Sequence, residues 1–159
     1  MQLSSTAFPS GGWIPRRHTS DGADLSPPLQ WQGAPAETVS LALILDDPDA
    51  PPGLWIHWVL FDLPATLTCL PEGLERSAEL ANGARHGSCW GVDQFSRRGY
   101  YGPQPPPGPV HHYRFQLSAL DCRLGLPPGS TAAEVRQAME GHVLRQAELI
   151  GLYQHGRSA

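Results

Sequence analysis

Between Thr38 and Leu45, the residues Val39, Leu41, Leu43 and Leu45 alternate with Thr38, Ser40, Ala42 and Ile44. A period of two predicts a β-strand, and the apolar Ala42 and Ile44 predict that most of it is buried on both faces. The run from Asp46 to Gly53, with Pro48, Pro51 and Pro52, breaks it. The next segment, Trp55-Ile56-His57-Trp58-Val59-Leu60-Phe61-Asp62-Leu63, is apolar on both faces and predicts a central strand that ends at Pro64. In this strand His57 shares a face with Trp55, Val59 and Phe61. The alternation is cleaner from His111 to Leu120. His111, Tyr113, Phe115, Leu117 and Ala119 form the face predicted to be buried, and His112, Arg114, Gln116 and Ser118 form the wet one. After Thr131 the period changes. Thr131 and Glu134 make a capping-box pair, and Val135, Ala138, Met139, His142, Val143 and Ala147 recur at helical spacing. That spacing predicts a helix reaching past Gly141, with Leu149 to Tyr153 as a closing strand.

The rest of the chain is punctuated rather than periodic. Residues 9–36 are rich in turn formers, which leaves room for short edge strands only. Residues 64–99 predict loops with one short helix or strand. From Gly102 to Pro109 there are five prolines in eight residues, a pattern that predicts a stiff, exposed loop. Glycine and proline number 17 each, and hydrophobic residues make up 40% of 159. No repeat or linker interrupts the chain. Residues 1–159 therefore predict one domain, mainly antiparallel β with a late helix.

Charge and cysteine narrow the function classes. The net charge is −4 and all eleven basic residues are arginine, never in runs longer than Arg16-Arg17 or Arg97-Arg98. Nucleic acid is an unsuitable partner for such a surface. Cys69, Cys89 and Cys122 are odd in number and far apart, which argues against a disulfide framework and predicts a reducing, cytoplasmic setting. Met1-Gln2-Leu3-Ser4-Ser5 does not read as a secretion signal. No apolar run is long enough to predict integral membrane association.

Polar residues interrupt the apolar strands at three places. Asp47 and Asp49 follow the first strand, His57 lies in the second, and His111 and Tyr113 open the third just after the proline loop. If the strands are neighbours, these groups meet at one end of a sheet. A carboxylate beside imidazoles favours imidazolium, which can hold an anion. The same residues would also serve as an acid–base hydrolase kit, or as a metal site made from His57, His111 and Asp47. Taken singly, each has a structural reading: a core histidine, an Asx turn, or a buried phenol.

The exact strings resolve some of this ambiguity. Asp47-Pro48-Asp49-Ala50-Pro51, His57-Trp58, Gly99-Tyr100-Tyr101-Gly102-Pro103, Pro105-Pro106-Pro107-Gly108 and His111-His112-Tyr113-Arg114-Phe115 occur in this order. They resemble the signature of the phosphatidylethanolamine-binding protein family. Ala119-Leu120-Asp121 and Ala147 to Gly151 are similar to its bacterial Raf kinase inhibitor-like branch, and Ser26 to Trp31 resembles the family's opening segment. The resemblance covers about residues 20–154. It implies an antiparallel β-sandwich of two unequal sheets with one C-terminal helix, and a shallow pocket for phosphate, phosphoethanolamine head groups or carboxylates. Carried over to this chain, the ligand-binding residues are Asp47, His57, Gly102, His111 and Tyr113, with Asp49, Pro51 and Pro103 shaping the pocket. Gly102 is expected to offer a backbone N–H to the anion. The resemblance implies binding rather than turnover, and because imidazoles that pair with Asp47 and an anion are better protonated than metal-bound, no metal or cofactor is expected. Three alternatives stay open: an acid–base hydrolase, a mononuclear metal site built from His57, His111 and Asp47, and a module that inhibits a kinase or protease through the pocket rim. Protein partners and a homodimer also stay open. The mammalian kinase-inhibitor role does not transfer to this short pattern. At Asp93-Gln94-Phe95-Ser96 the chain departs from the N-D-F-G segment usual in the family.

Overall fold

The computed structural model describes residues 1–157. Its frame is a six-stranded sheet in the order β2-β11-β10-β4-β5-β7, formed by β2 (Gly12–Trp13), β4 (Ser40–Asp47), β5 (Trp55–Pro64), β7 (Arg85–His86), β10 (His111–Leu120) and β11 (Val143–Tyr153). A three-stranded sheet packs against one face, in the order β1 (Gln2–Ser4), β3 (Leu29–Gln32) and β6 (Cys69–Leu70). A two-stranded ribbon, β8 (Ser88–Cys89) with β9 (Arg97–Arg98), sits beside them. All strand pairs are antiparallel except β11 with β2.

The double-faced pattern of β4 has a direct cause. Leu41, Leu43 and Leu45 join Leu3, Leu29, Trp31 and Leu70 in the core between the two sheets. Ala42 and Ile44 join Val135 and Met139 in a second core under the helix α1 (Ala132–Met139). Every residue of β4 is buried. The β-sandwich expected of the chain is the fold observed.

Three local expectations change. The capping box of α1 forms, with Thr131 Oγ1 accepting from the Glu134 N–H and the Glu134 carboxylate accepting from the Thr131 N–H. The helix nevertheless stops at Met139, because Gly141 takes φ +79° and turns the chain. Val143 to Ala147, expected to be helical, is strand, and Leu117 pairs with Ala147. The helical spacing of Val143 and Ala147 was a coincidence of composition, overridden by ten-residue pairing along β10. The proline loop is buried at its start, where Gly102, Pro103 and Pro105 are inaccessible. Finally, β5 carries two register shifts against β4. Leu43 pairs with Leu60 and Leu41 with Leu63, which leaves an extra residue near Asp62 at φ 56°. Its carboxylate accepts the Leu124 and Gly125 N–H groups.

Candidate functional site

The second register shift builds the site. Asp46 pairs with Ile56 and Leu45 with Trp58, so His57 is the extra residue of a β-bulge. Strict alternation would place Ile56 and Trp58 on one face. The bulge instead sends Ile56 to the helix-side core and Trp58 to the core between the sheets. The expectation that His57 shares a face with Val59 and Phe61 fails for that reason. Its ring packs edge-on to Tyr113, with centroids 5.3 Å apart.

Strand order explains the rest of the convergence. β4 lies between β5 and β10 and runs antiparallel to both. Both neighbours therefore begin where β4 ends, and Asp47, His57, His111 and Tyr113 meet there. They line a cavity of about 330 Å³ together with Ala50, Pro51, Pro52, Trp55, Trp90, Gln104, Pro105 and Pro106.

Each polar group in the cavity has a defined role. Asp47 is buried. Its Oδ1 accepts the Asp49 N–H at 2.8 Å and its Oδ2 accepts His111 Nδ1–H at 2.7 Å. The Tyr101 carbonyl accepts His57 Nδ1–H at 2.6 Å. Burial lowers the pKa of His57, against the raising pull of that carbonyl and of the Asp47, Asp24 and Asp46 charges. The expected imidazolium is therefore corrected for His57, whose ring is neutral near pH 7. No hydrogen bond among the described residues uses Nε2 of His57 or of His111. Tyr113 is fully buried and its hydroxyl has no hydrogen-bond partner. Burial, then the Asp47 charge, raises its pKa, so it stays a phenol. Asp47 lies close enough to contribute to that rise without completing a hydrogen bond.

The other expected residues occupy different places. Gly102 does not line the cavity, and its N–H donates to Asp24 Oδ1 at 2.8 Å, so it is not free for an anion. A Cβ at Gly102 would collide with the His18 carbonyl, and close packing explains the glycine better than ligand contact does. The Pro103 carbonyl accepts the Ser20 N–H and hydroxyl, holding the proline loop down. Pro51 lines the cavity, whereas Asp49 faces away and accepts from the N–H and Nδ1 of exposed His112. The ligand atoms of Asp47, His57 and His111 do not gather as a metal set. Among the described residues only Asp121, Cys122 and His142 bring such atoms within 4.8 Å of one another.

Sequence reading missed Trp90, Trp55 and Asp24. Trp90 sits at φ 70° and places its indole edge-on to His57 at 5.5 Å and to Trp55 at 5.6 Å. The Arg97 guanidinium stacks on the Trp90 ring at 4.4 Å. A lone tryptophan in an aperiodic stretch carries no local signal of such a role. Asp24 holds both Gly102 and Arg76, contacts that span 78 and 52 residues.

Comparison with known proteins agrees with this architecture. The family profile described as phosphatidylethanolamine-binding protein matches residues 4–154. A UPF0098 protein of Methanothermobacter thermautotrophicus is 50% identical over 156 residues, covering 98% of this chain and all of the relative. Among solved structures, a putative homolog of the same kind from Chlamydia trachomatis superposes with a TM-score of 0.85 at 37% identity, covering 96% of each chain. The E. coli protein YbcL, described as a new member of the mammalian PEBP family, superposes at 0.86 with 31% identity, covering 96% of this chain and 97% of its own.

Proposed function

The chain belongs to the phosphatidylethanolamine-binding protein family, and from its pocket we propose that it binds a small oxyanion: phosphate, a phosphoethanolamine head group or a carboxylate. The observation that carries this reading is the cavity in which the Nε2 atoms of His57 and His111 have no hydrogen-bond partner among the described residues. His111 supports the reading, because its Nδ1–H is fixed on Asp47 and its Nε2 is left for a ligand. Calorimetric titration with phosphate tests it. His111→Ala should weaken binding by about 1.5–3 kcal/mol. Unchanged affinity in that variant would refute the reading.

Binding without turnover suits the chemistry. The cavity lining contains no serine, threonine or cysteine. Cys89 is walled off, and burial pushes its thiol up to about 12 against the pull of Arg97 and Arg76. An acid–base hydrolase is the second reading, favoured by the Asp47–His111 pair. Hydrolysis of p-nitrophenyl phosphate that disappears in His111→Ala would establish it. No helix among the described residues is long and apolar enough to cross a membrane. The free cysteines Cys69, Cys89 and Cys122 support a cytoplasmic setting.

A further inference from the structure

At the far end of β10 from the cavity, three side chains with different donor atoms converge. His111 opens this ten-residue strand, and Asp121 and Cys122 directly follow its last residue, Leu120. His142 stands immediately before β11. The Asp121 carboxylate, the Cys122 thiol and the His142 imidazole bring one oxygen, one sulfur and one nitrogen within 4.8 Å of one another. His142 Nδ1 and Asp121 Oδ1 are 2.8 Å apart. The backbone that carries them is tied down. The Asp121 N–H donates to the His142 carbonyl at 3.0 Å, and the His142 N–H donates to the Met139 carbonyl at 2.9 Å. The Ser40 hydroxyl donates to the Cys122 carbonyl at 2.6 Å. Gly141, at φ +79°, makes the turn that delivers His142 to this place. The side chains themselves stay within reach of solvent. Those of Asp121 and His142 are 44% and 47% exposed, and Cys122 is half-buried.

A fixed frame under accessible donors suits a metal ion better than a simple ion pair. An exposed Asp–His pair contributes little by itself and makes no use of a thiol. Around zinc, carboxylate oxygen and imidazole nitrogen sit at about 2.0–2.2 Å and thiolate sulfur at about 2.3 Å, so in a tetrahedron they are about 3.3–3.7 Å apart. Side-chain rotation reaches that spacing from the observed one and leaves the backbone in place. We propose that Asp121, Cys122 and His142 form a zinc site, separate from the anion cavity, with water as the fourth ligand. The donor set selects among cations. Calcium and magnesium call for oxygen shells, whereas mixed sulfur, nitrogen and oxygen donors suit zinc. The surroundings favour a cation as well. Asp62 adds a second negative charge near the Cys122 sulfur, while its own oxygens are held by the Leu124 and Gly125 N–H groups. On binding, the Cys122 thiol gives its proton to solvent and the sulfur lone pair bonds the metal. Nδ1 of His142 likewise sheds its proton, and the neutral ring keeps one on Nε2. Zinc stays divalent, and nothing is oxidised or reduced.

Cobalt(II) and zinc titrations of the chelator-treated full chain test the proposal. Cobalt should bind in equal stoichiometry with the protein and give a thiolate-to-metal charge-transfer band, together with the intense visible bands of four-coordinate cobalt. The anion cavity has no cysteine in its lining, so the charge-transfer band reports on a thiol elsewhere. Zinc should displace the cobalt and raise the midpoint of thermal unfolding. Cys122→Ser keeps the Asp121–His142 pair and should unfold like the wild type without metal, but it should lose both the band and the zinc-dependent rise. His142→Ala and Asp121→Asn should each weaken zinc binding roughly tenfold or more in calorimetry, at least the loss that follows removal of an outer-shell partner. Cys69→Ser removes an exposed thiol and should leave the cobalt spectrum and the zinc affinity unchanged. Nitrogen NMR of the wild type needs no variant: the His142 Nδ1 resonance should move on addition of zinc. Absence of the charge-transfer band, its survival in Cys122→Ser, a zinc affinity indifferent to His142→Ala, or an unmoved His142 resonance would each overturn the proposal.

Discussion

His57 and His86 are two buried histidines in the same situation up to one atom. Each donates Nδ1–H to a backbone carbonyl at 2.6 Å, His57 to Tyr101 and His86 to Ser77. Burial is the largest influence on both rings and lowers the pKa of each. At His86, Nε2 accepts the Trp58 indole N–H at 3.0 Å, so the ring is satisfied within the fold. At His57, one residue before that tryptophan, Nε2 is left to the cavity. The first is a fastener between β5 and β7, and the second is half of a hydrogen bond. Burial does not separate a structural histidine from a functional one; the bookkeeping of its second nitrogen does.

The largest expected effect separates the two. His86→Ala strands the Trp58 N–H and opens a void in a fully buried position, and should cost about 2–4 kcal/mol of stability in urea unfolding. Its phosphate affinity should match that of the wild type. His57→Ala should show the reverse, with a smaller stability loss and weakened binding. Parallel losses in both variants would break the comparison.

A pH titration of stability sharpens it. His18, His57 and His86 all have folded pKa values below the unfolded value near 6.5, burial being the main cause in each. The unfolded chain then binds more protons than the native one. Stability from these groups is fully present above about pH 6.5 and is lost as pH falls toward the lower folded values. The decline should approach about 1.4 kcal/mol per pH unit for each of these buried rings, less for His18, where the Glu72 charge opposes the effect of burial. Loss of His86 should make the decline shallower. Stability that stays level from pH 7 to 5.5 would contradict neutral rings at these sites.

The smallest effect concerns a decoy. His112 is adjacent to His111 and accompanies Asp49 as His111 accompanies Asp47, also at 2.7 Å. Its side chain is 56% exposed against 3% for His111, and it points away from the cavity. His112→Ala should change phosphate affinity and stability by no more than about 0.5 kcal/mol. A loss like that of His111→Ala would relocate the site.

The sequence determined a good deal of this by itself. Alternation from Val39 to Leu45 and from His111 to Leu120 specified strands, and apolar residues on both faces of β4 specified a central position between two cores. The strings marked Asp47, His57, His111 and Tyr113 as candidates that would meet if their strands were neighbours, and the strand order, with β4 between β5 and β10, supplied that condition. Short-range chemistry was legible wherever its partners lay within a few residues, as in the Thr131–Glu134 cap. Tertiary structure alone decided the rest. A run apolar on both faces conceals a bulge, since shifting the register of Trp55 to Leu63 leaves apolar residues on either side, so the aim of His57 could not be read from its period. Strand pairing with β10 outweighed the helical spacing of Val143 and Ala147. The donor held by Gly102 went to Asp24 across 78 residues, and Trp58 rather than a ligand filled His86. Such pairings link residues far apart in the chain, and their free energy exists only once the sheets have closed.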